Sequence, residues 1–342
     1  MTMMIKKSKV AIFSDLHLGI YGNSTDWHDI ALKWANWISS DLKKKKIKDI
    51  FFLGDFFHNR SEISVQTVHV ASLILEKLKD FNILMIIGNH DCYYKNRSDV
   101  HSLGLLKGHE NLTIIDKPLE FESFGKNMAF IPWEGSIPDG KFDYIFGHFE
   151  IISFKMNNFK VCDHGYNPMD FLASKTSTVF SGHFHNRHSK KYNEGSIHYV
   201  GNTFPMDFSD VGNERGYHIL DVESGDLEFF ANPVSPKFIR ILLSKTDDLD
   251  DDLIKGNIVK LIIDKDIKDD TLEKIKANIL ALSPHQLTTE FNVTSKSIDS
   301  VEQVDSIDLT EMFEEFQEQL KLDDGKNERI GKIWKELYER NK

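Results

Sequence analysis

The chain has 342 residues, 40% of them hydrophobic and 28% charged, enough to bury one large core and a smaller second one. No apolar run reaches the ~18 residues of a membrane span, and the opening MTMMIKKSKV lacks the apolar stretch of a signal peptide, so a soluble, cytoplasmic protein with no membrane association is expected, in the host cytoplasm if the source is viral. Two distant cysteines, Cys92 and Cys162, exclude a disulfide framework and a thiolate metal site, and the net charge of −11 averages a near-neutral front (24 Lys and Arg against 22 Asp and Glu over residues 1–200) with an acidic back (18 against 31).

In chain order, the run KVAIFS leads into Asp15-Leu16-His17, IKDIFFLG into Asp55 and then His58, and NILMIIG into Asn89-His90-Asp91. Runs this short and rich in Ile, Phe and Val read as buried strands. Between them lie segments of helical period, with Trp27, Ile30, Ala31, Trp34, Trp37 and Ile38 on one face, then Val65, Val68, Leu73, Leu75 and Leu78. The run Lys43 to Lys46 reads as a solvated helix end, with DNA contact the minor alternative.

From Asn111 the strands shorten: NMAFIPW, FDYIFG leading into His148, STVFSG leading into His183 and His185, and a hairpin of GYHILDV and LEFFANP joined at Glu223 to Asp226. These are expected to form a second, mainly antiparallel sheet packed on the first. NPVSPKF closes a main domain over 1–235, a strand-helix-strand unit fills 236–294 as a small α/β domain, and 295–307 reads as a polar linker. Residues 308–342 read as two acidic amphipathic helices suited to a protein partner. The expected fold class is α/β, a two-sheet sandwich flanked by helices, with a small α/β cap and C-terminal helices.

Taken singly, each polar residue at a strand end has a plain structural explanation: turn former, satisfied histidine, or tolerance of a left-handed backbone. Seven together (Asp15, His17, Asp55, Asn89, His148, His183 and His185) form a mixed carboxylate, imidazole and amide set. Such a set suits Mn²⁺, Fe²⁺, Zn²⁺ or Mg²⁺.

The order D-x-H, GD, GNHD, GH, GHxH resembles the calcineurin-like metallophosphoesterase superfamily over residues 9 to 220. The resemblance implies that family's sandwich fold and two divalent cations, Mn²⁺ foremost and Mg²⁺ second. Asp15, His17, Asp55 and His185 would hold one, and Asp55, Asn89, His148 and His183 the other, with Asp55 bridging. It also implies that His90 acts at the phosphate, while Asp91 either orients His90 or caps the following turn.

GDFFH with His58, IPW at 131–133, DHG at 163–165, and YVGN followed by NERGYHILDVESG resemble the SbcD-type DNA double-strand-break nucleases, the compact bacteriophage members above all. YVGNTFPM departs from the usual pattern, in which Ser-Pro or Thr-Pro follows the glycine, and puts a DNA-contacting loop in doubt. The resemblance implies DNA as substrate, exonuclease activity with single-strand endonuclease activity left open beside it, and His58 as a catalytic or supporting residue. It further implies a homodimer through helices near residues 61–80 and 96–107, and an SbcC-type coiled-coil ATPase bound by the C-terminal helices. His164 is a weaker candidate for a phosphate contact. The competing functions are a phosphomonoesterase or protein phosphatase of the same superfamily, and a scaffold without catalysis.

Overall fold

The structure, a computed structural model, describes residues 5–156, 160–172, 176–248 and 251–292. The linker over 295–307 and the helices expected over 308–342 lie outside these residues. Strands β1 (Lys9–Phe13), β2 (Asp49–Phe52), β3 (Asn82–Ile86) and β4 (Leu112–Ile115) pair in parallel, in that order.

The six strands that follow are β5 (Leu119–Ser123), β6 (Lys126–Ile131), β7 (Phe142–His148), β8 (Thr176–Gly182), β9 (His188–Lys191) and β10 (Ser196–Tyr199). They form a second sheet in the order β5-β6-β7-β8-β10-β9. The chain then returns: β11 (Gly216–Asp221) pairs antiparallel with β1, and β12 (Leu227–Ala231) pairs outside β11.

Two expectations about these strands are corrected. The second sheet is mainly parallel, since β6, β7, β8 and β10 run the same way and only the edge strands β5 and β9 oppose them. Its strands are covered on both faces, the usual condition of parallel sheets and the reason their apolar runs do not alternate. The hairpin of β11 and β12 belongs to the first sheet, because β1 was left with a free edge that β11 fills.

Side-chain alternation assigns the layers. Val10 and Ile12 of β1 join Phe51, Leu84 and Ile86 against Phe130, Phe146 and Phe180 of the second sheet, forming the core between the sheets. Ala11 and Phe13 point the other way, beneath the helices Thr25–Lys44 and Val65–Lys77. The outer face of the second sheet, with Ile131, Ile145 and Val179, is covered by Phe149, Phe154 and Phe171.

The Thr25–Lys44 helix buries Ile30, Ala31, Trp34 and Ile38 as its period predicts. Its basic end is solvated and paired with acids, Lys43 with Asp80 at 2.7 Å and Lys45 with Asp41 at 2.7 Å. The Val65–Lys77 helix is rotated from the expected face: Thr67, Val70, Ala71, Ile74 and Leu75 are buried, and Val65 is 88% exposed. Thr67 sets this rotation, because its hydroxyl donates to Asn23 Oδ1 at 2.7 Å and its amide to the capping Ser64 hydroxyl at 3.1 Å. Within 96–107 the regular element is the short 3₁₀ turn Ser102–Leu106, not a helix of the expected length.

Beyond the prolines, β13 (Phe238–Leu242), β14 (Ile258–Ile263) and β15 (Gln286–Phe291) form a parallel three-stranded sheet. The Asp269–Ala281 helix crosses between β14 and β15, and Leu272 and Ile279 close a separate small core over Val259 and Leu261. Phe238 stacks on Trp27, and the Arg240 guanidinium donates to the Phe208 carbonyl at 2.9 Å.

Candidate metal centre

The parallel register aligns the carboxyl ends of the strands: Phe13 lies beside Phe52, Phe52 beside Met85, and His148 beside Gly182. The loops that follow therefore start from neighbouring points at one edge of the sandwich. Ligand-type side chains leave those loops under strain. Asp15 (φ 55°), His17 (φ 46°), Asp55 (φ 56°) and His183 (φ 85°) all sit in the left-handed region that residues with a Cβ rarely occupy.

Close backbone packing holds the loops together. A Cβ on Gly88 would collide with the Asp55 carboxylate, and one on Gly182 with the Ser14 hydroxyl, so these motif glycines are required by contact. The Asp15 amide donates to the Gly54 carbonyl at 3.0 Å, and the Leu16 and His17 amides both donate to Asp55 O.

All seven expected ligands converge. Asp15, His17 and His185 form one group with donor atoms within 4.8 Å of one another, and Asp55, His148 and His183 form a second. Asp55 Oδ2 lies 3.6 Å from His17 Nε2 and 3.3 Å from His148 Nε2, touching both groups. One atom of the Asn89 amide is 2.9 Å from both His148 Nε2 and His183 Nδ1. With its oxygen turned inward, Asn89 adds a further lone pair to the second group; turned over, its nitrogen donates to the imidazoles and its oxygen accepts from Arg60 at 2.9 Å.

The electrostatics fit a cation. Burial alone would raise the Asp55 carboxyl, but His148 and His17 beside it hold it well below the usual carboxylate range. Burial would lower His148, yet Asp55 raises it to about 9. Burial pushes His17 well below its ordinary value, leaving a neutral imidazole able to ligate. His148 Nδ1 donates to the Leu53 carbonyl at 2.7 Å, which turns Nε2 toward the site, where a bound cation would replace its proton. The donor set of carboxylate, imidazole and amide oxygen therefore fits divalent cations.

His58 and His90 stand beside the first group and form a third cluster with its His17, the donor atoms of the three rings lying within 4.8 Å of one another. The His90 ring lies 4.7 Å from that of His17, edge to face, and stacks on His58 at 5.3 Å. The expectation that Asp91 orients the His90 ring is corrected: His90 Nδ1 bonds the His58 carbonyl at 2.6 Å. Asp91 instead accepts from the backbone amides of Asp55, Phe56, Phe57 and Gly88, clamping two ligand loops together. Burial, then the Asp55 charge, push its carboxyl up to about 7, while those amides favour the anion.

Two residues at the site, Glu150 and Arg215, were not singled out from the sequence. Glu150 holds His183 Nε2 at 3.1 Å through one oxygen and His164 Nε2 at 3.4 Å through the other. His164, further tied to Asp163 at 2.9 Å, thus supports Glu150. Arg215 donates to the His185 carbonyl at 2.6 Å and to Asn186 Oδ1 at 3.0 Å, and pairs with buried Asp210, fixing the turn that carries both histidines. A carboxylate two residues after a candidate ligand histidine, and an arginine inside NERG, were the available signals. Trp133 of the IPW motif completes this side, its ring 5.3 Å from that of His183.

The model of the calcineurin-like phosphoesterase family matches residues 8–187, just over half of the chain and every residue of the two ligand groups. The chain belongs to the calcineurin-like phosphoesterase family. Among curated proteins, this phosphoesterase is similar to exonuclease subunit 1 of Enterobacteria phage T4, with 28% identity over 236 residues, 66% of this chain and 68% of that one. Among solved structures it is similar to an archaeal phosphodiesterase, with a TM-score of 0.38, 14% identity, and coverage of 66% of this chain and 99% of that one. Among the described residues, no helix of the phosphoesterase is long and apolar enough to cross a membrane.

Proposed function

We propose that the chain is a two-cation DNA nuclease, an exonuclease that serves double-strand-break repair and recombination beside an SbcC-type ATPase. The observation that carries this reading is Asp55, one carboxylate oxygen of which reaches toward a ligand histidine of each group. The similarity to a phage exonuclease subunit supports both the nuclease activity and work within a complex. The same reading includes a homodimer.

Asp15, His17, Asp55 and His185 would hold one cation, and Asp55, Asn89, His148 and His183 the other; the set suits several divalent cations, and the family resemblance puts Mn²⁺ first and Mg²⁺ second. When bound, the pair supplies Lewis-acid stabilisation of the phosphate oxygens and a nucleophile at neutral pH. With Nδ1 engaged by the His58 carbonyl, His90 presents Nε2 to move a proton at the phosphate or the leaving oxygen. His58 positions two rings at once, through its carbonyl to His90 and through Nδ1, 3.3 Å from His17 Nδ1.

The test is Asp55→Ala, followed by Mn²⁺ calorimetry and by digestion of linear duplex DNA with a generic phosphomonoester in parallel. Wild type is expected to bind Mn²⁺ and digest DNA in preference to the monoester, and the variant to lose both binding and digestion. Unchanged digestion overturns the two-cation reading, and preference for the monoester makes the protein a phosphatase.

A further inference from the structure

Next to the second ligand group lies a cavity of 310 Å³ whose wall includes Trp133, Glu134, His148, Glu150, Tyr166 and Asp170. It is continuous with the metal centre, because His148 belongs to the second group and Glu150 bonds the His183 ring. Its size is at the lower edge of small-molecule sites, ~300–1,000 Å³, which admits a single nucleoside and not a stacked helix.

The aromatic walls are held in place. Trp133 Nε1 donates to the Lys95 carbonyl at 3.1 Å and its amide to Ile87 O at 2.8 Å. Tyr166 packs edge-on against Phe149 at 5.7 Å and lies 5.3 Å from Phe171. Such rings offer a planar base stacking surfaces at little entropic cost. Three carboxylates line the cavity against one imidazole, His148 at its inner end, with no lysine or arginine among the described lining residues. That wall repels a phosphate and accepts hydrogen bonds from amines.

We propose that this cavity is a base subsite, taking the unstacked nucleobase next to the phosphate at the metal centre and favouring adenine, cytosine and guanine over thymine. The three favoured bases carry an exocyclic amine for the carboxylates, and thymine carries none. The proposal rests on the nuclease reading for its role in cleavage, while base binding itself does not require the metals.

The experiment uses the full chain in chelator and follows the fluorescence of 2-aminopurine deoxyriboside. Stacking in the cavity is expected to quench it, deoxyadenosine and deoxycytidine to compete about tenfold better than thymidine, and Glu134→Gln to narrow that ratio to about threefold or less. Competition by thymidine equal to that by deoxyadenosine, an unchanged ratio in Glu134→Gln, or displacement by inorganic phosphate overturns the proposal. In a second arm with Mn²⁺, the 4-nitrophenyl esters of deoxyadenosine and thymidine 5′-monophosphates are compared with bis(4-nitrophenyl) phosphate. The adenine ester is expected to show the higher kcat/KM by the same factor, and equal values overturn the subsite. No turnover of any ester, with base binding intact, counts against the nuclease reading alone.

Discussion

At the scale of single residues, the ligand loops carry a conformational cost that their chemistry explains. His183 at φ 85° brings its Nδ1 to the second group while its amide donates to the Asp15 carboxylate, at 3.2 Å to Oδ2. A left-handed backbone costs a residue with a Cβ ~1–2 kcal/mol, and functional sites are where such strain collects. Replacing His183 therefore separates strain from chemistry. His183→Gly is expected to be more stable than His183→Ala by ~1 kcal/mol, with both losing the second cation. Thermal melts in chelator and Mn²⁺ calorimetry check this; equal melting temperatures remove the strain argument.

At the scale of elements, the hairpin of β11 and β12 supports the histidine turn from the neighbouring sheet. Arg215, just before β11, is buried with Asp210 and grips the His185 carbonyl. Arg215→Met leaves the Asp210 carboxylate buried without its partner, an expected loss of ~3–5 kcal/mol, measurable by urea unfolding in chelator. Weaker Mn²⁺ binding at the His185 side should accompany it. Within β11, burial and then the Arg187 charge push the His218 imidazole down to about 3. Its folded pKa is thus below its unfolded value of ~6.5, so the unfolded state takes up the proton and stability falls as pH drops from ~6.5 toward 3. The expected loss by pH 5 is ~2 kcal/mol. His218→Phe should reduce that acid sensitivity in chelator, and an unchanged pH profile excludes His218 as its source.

At the scale of the whole molecule, charge divides the labour. The first 200 residues carry a net charge of +2 and hold both ligand groups, while the remainder carries −13. Residues 308–342, outside the described ones, have Leu309, Met312, Phe313, Phe316 and Leu320 at helical spacing, with Ile330, Ile333, Trp334 and Leu337 repeating the pattern. If the proposed function holds, deletion from Asp308 onward is expected to leave a folded, Mn²⁺-binding protein with its basal activity that no longer associates with the proposed SbcC-type ATPase. Pull-down of the truncated chain at full-length affinity refutes that assignment, and loss of the fold shows that the tail supports its own catalytic domain.

The convergence of the seven candidate ligands was legible because each is placed locally: every one follows an apolar run by one to three positions, and strand ends in α/β sheets are where sites form. Asp15, His17, Asp55, Asn89, His148, His183 and His185 could be named from that pattern and the family motifs, and the α/β sandwich from its strand runs. What depended on distant pairing was not legible. The parallel order of the second sheet, the docking of β11 on β1 and the rotation of the Val65–Lys77 helix around Thr67 follow from which free edge or hydroxyl each element meets. Asp91 shows the same limit within a motif. Its place beside His90 invited a role toward that ring, but four backbone amides from two loops claim its carboxylate, and only the folded chain brings them together.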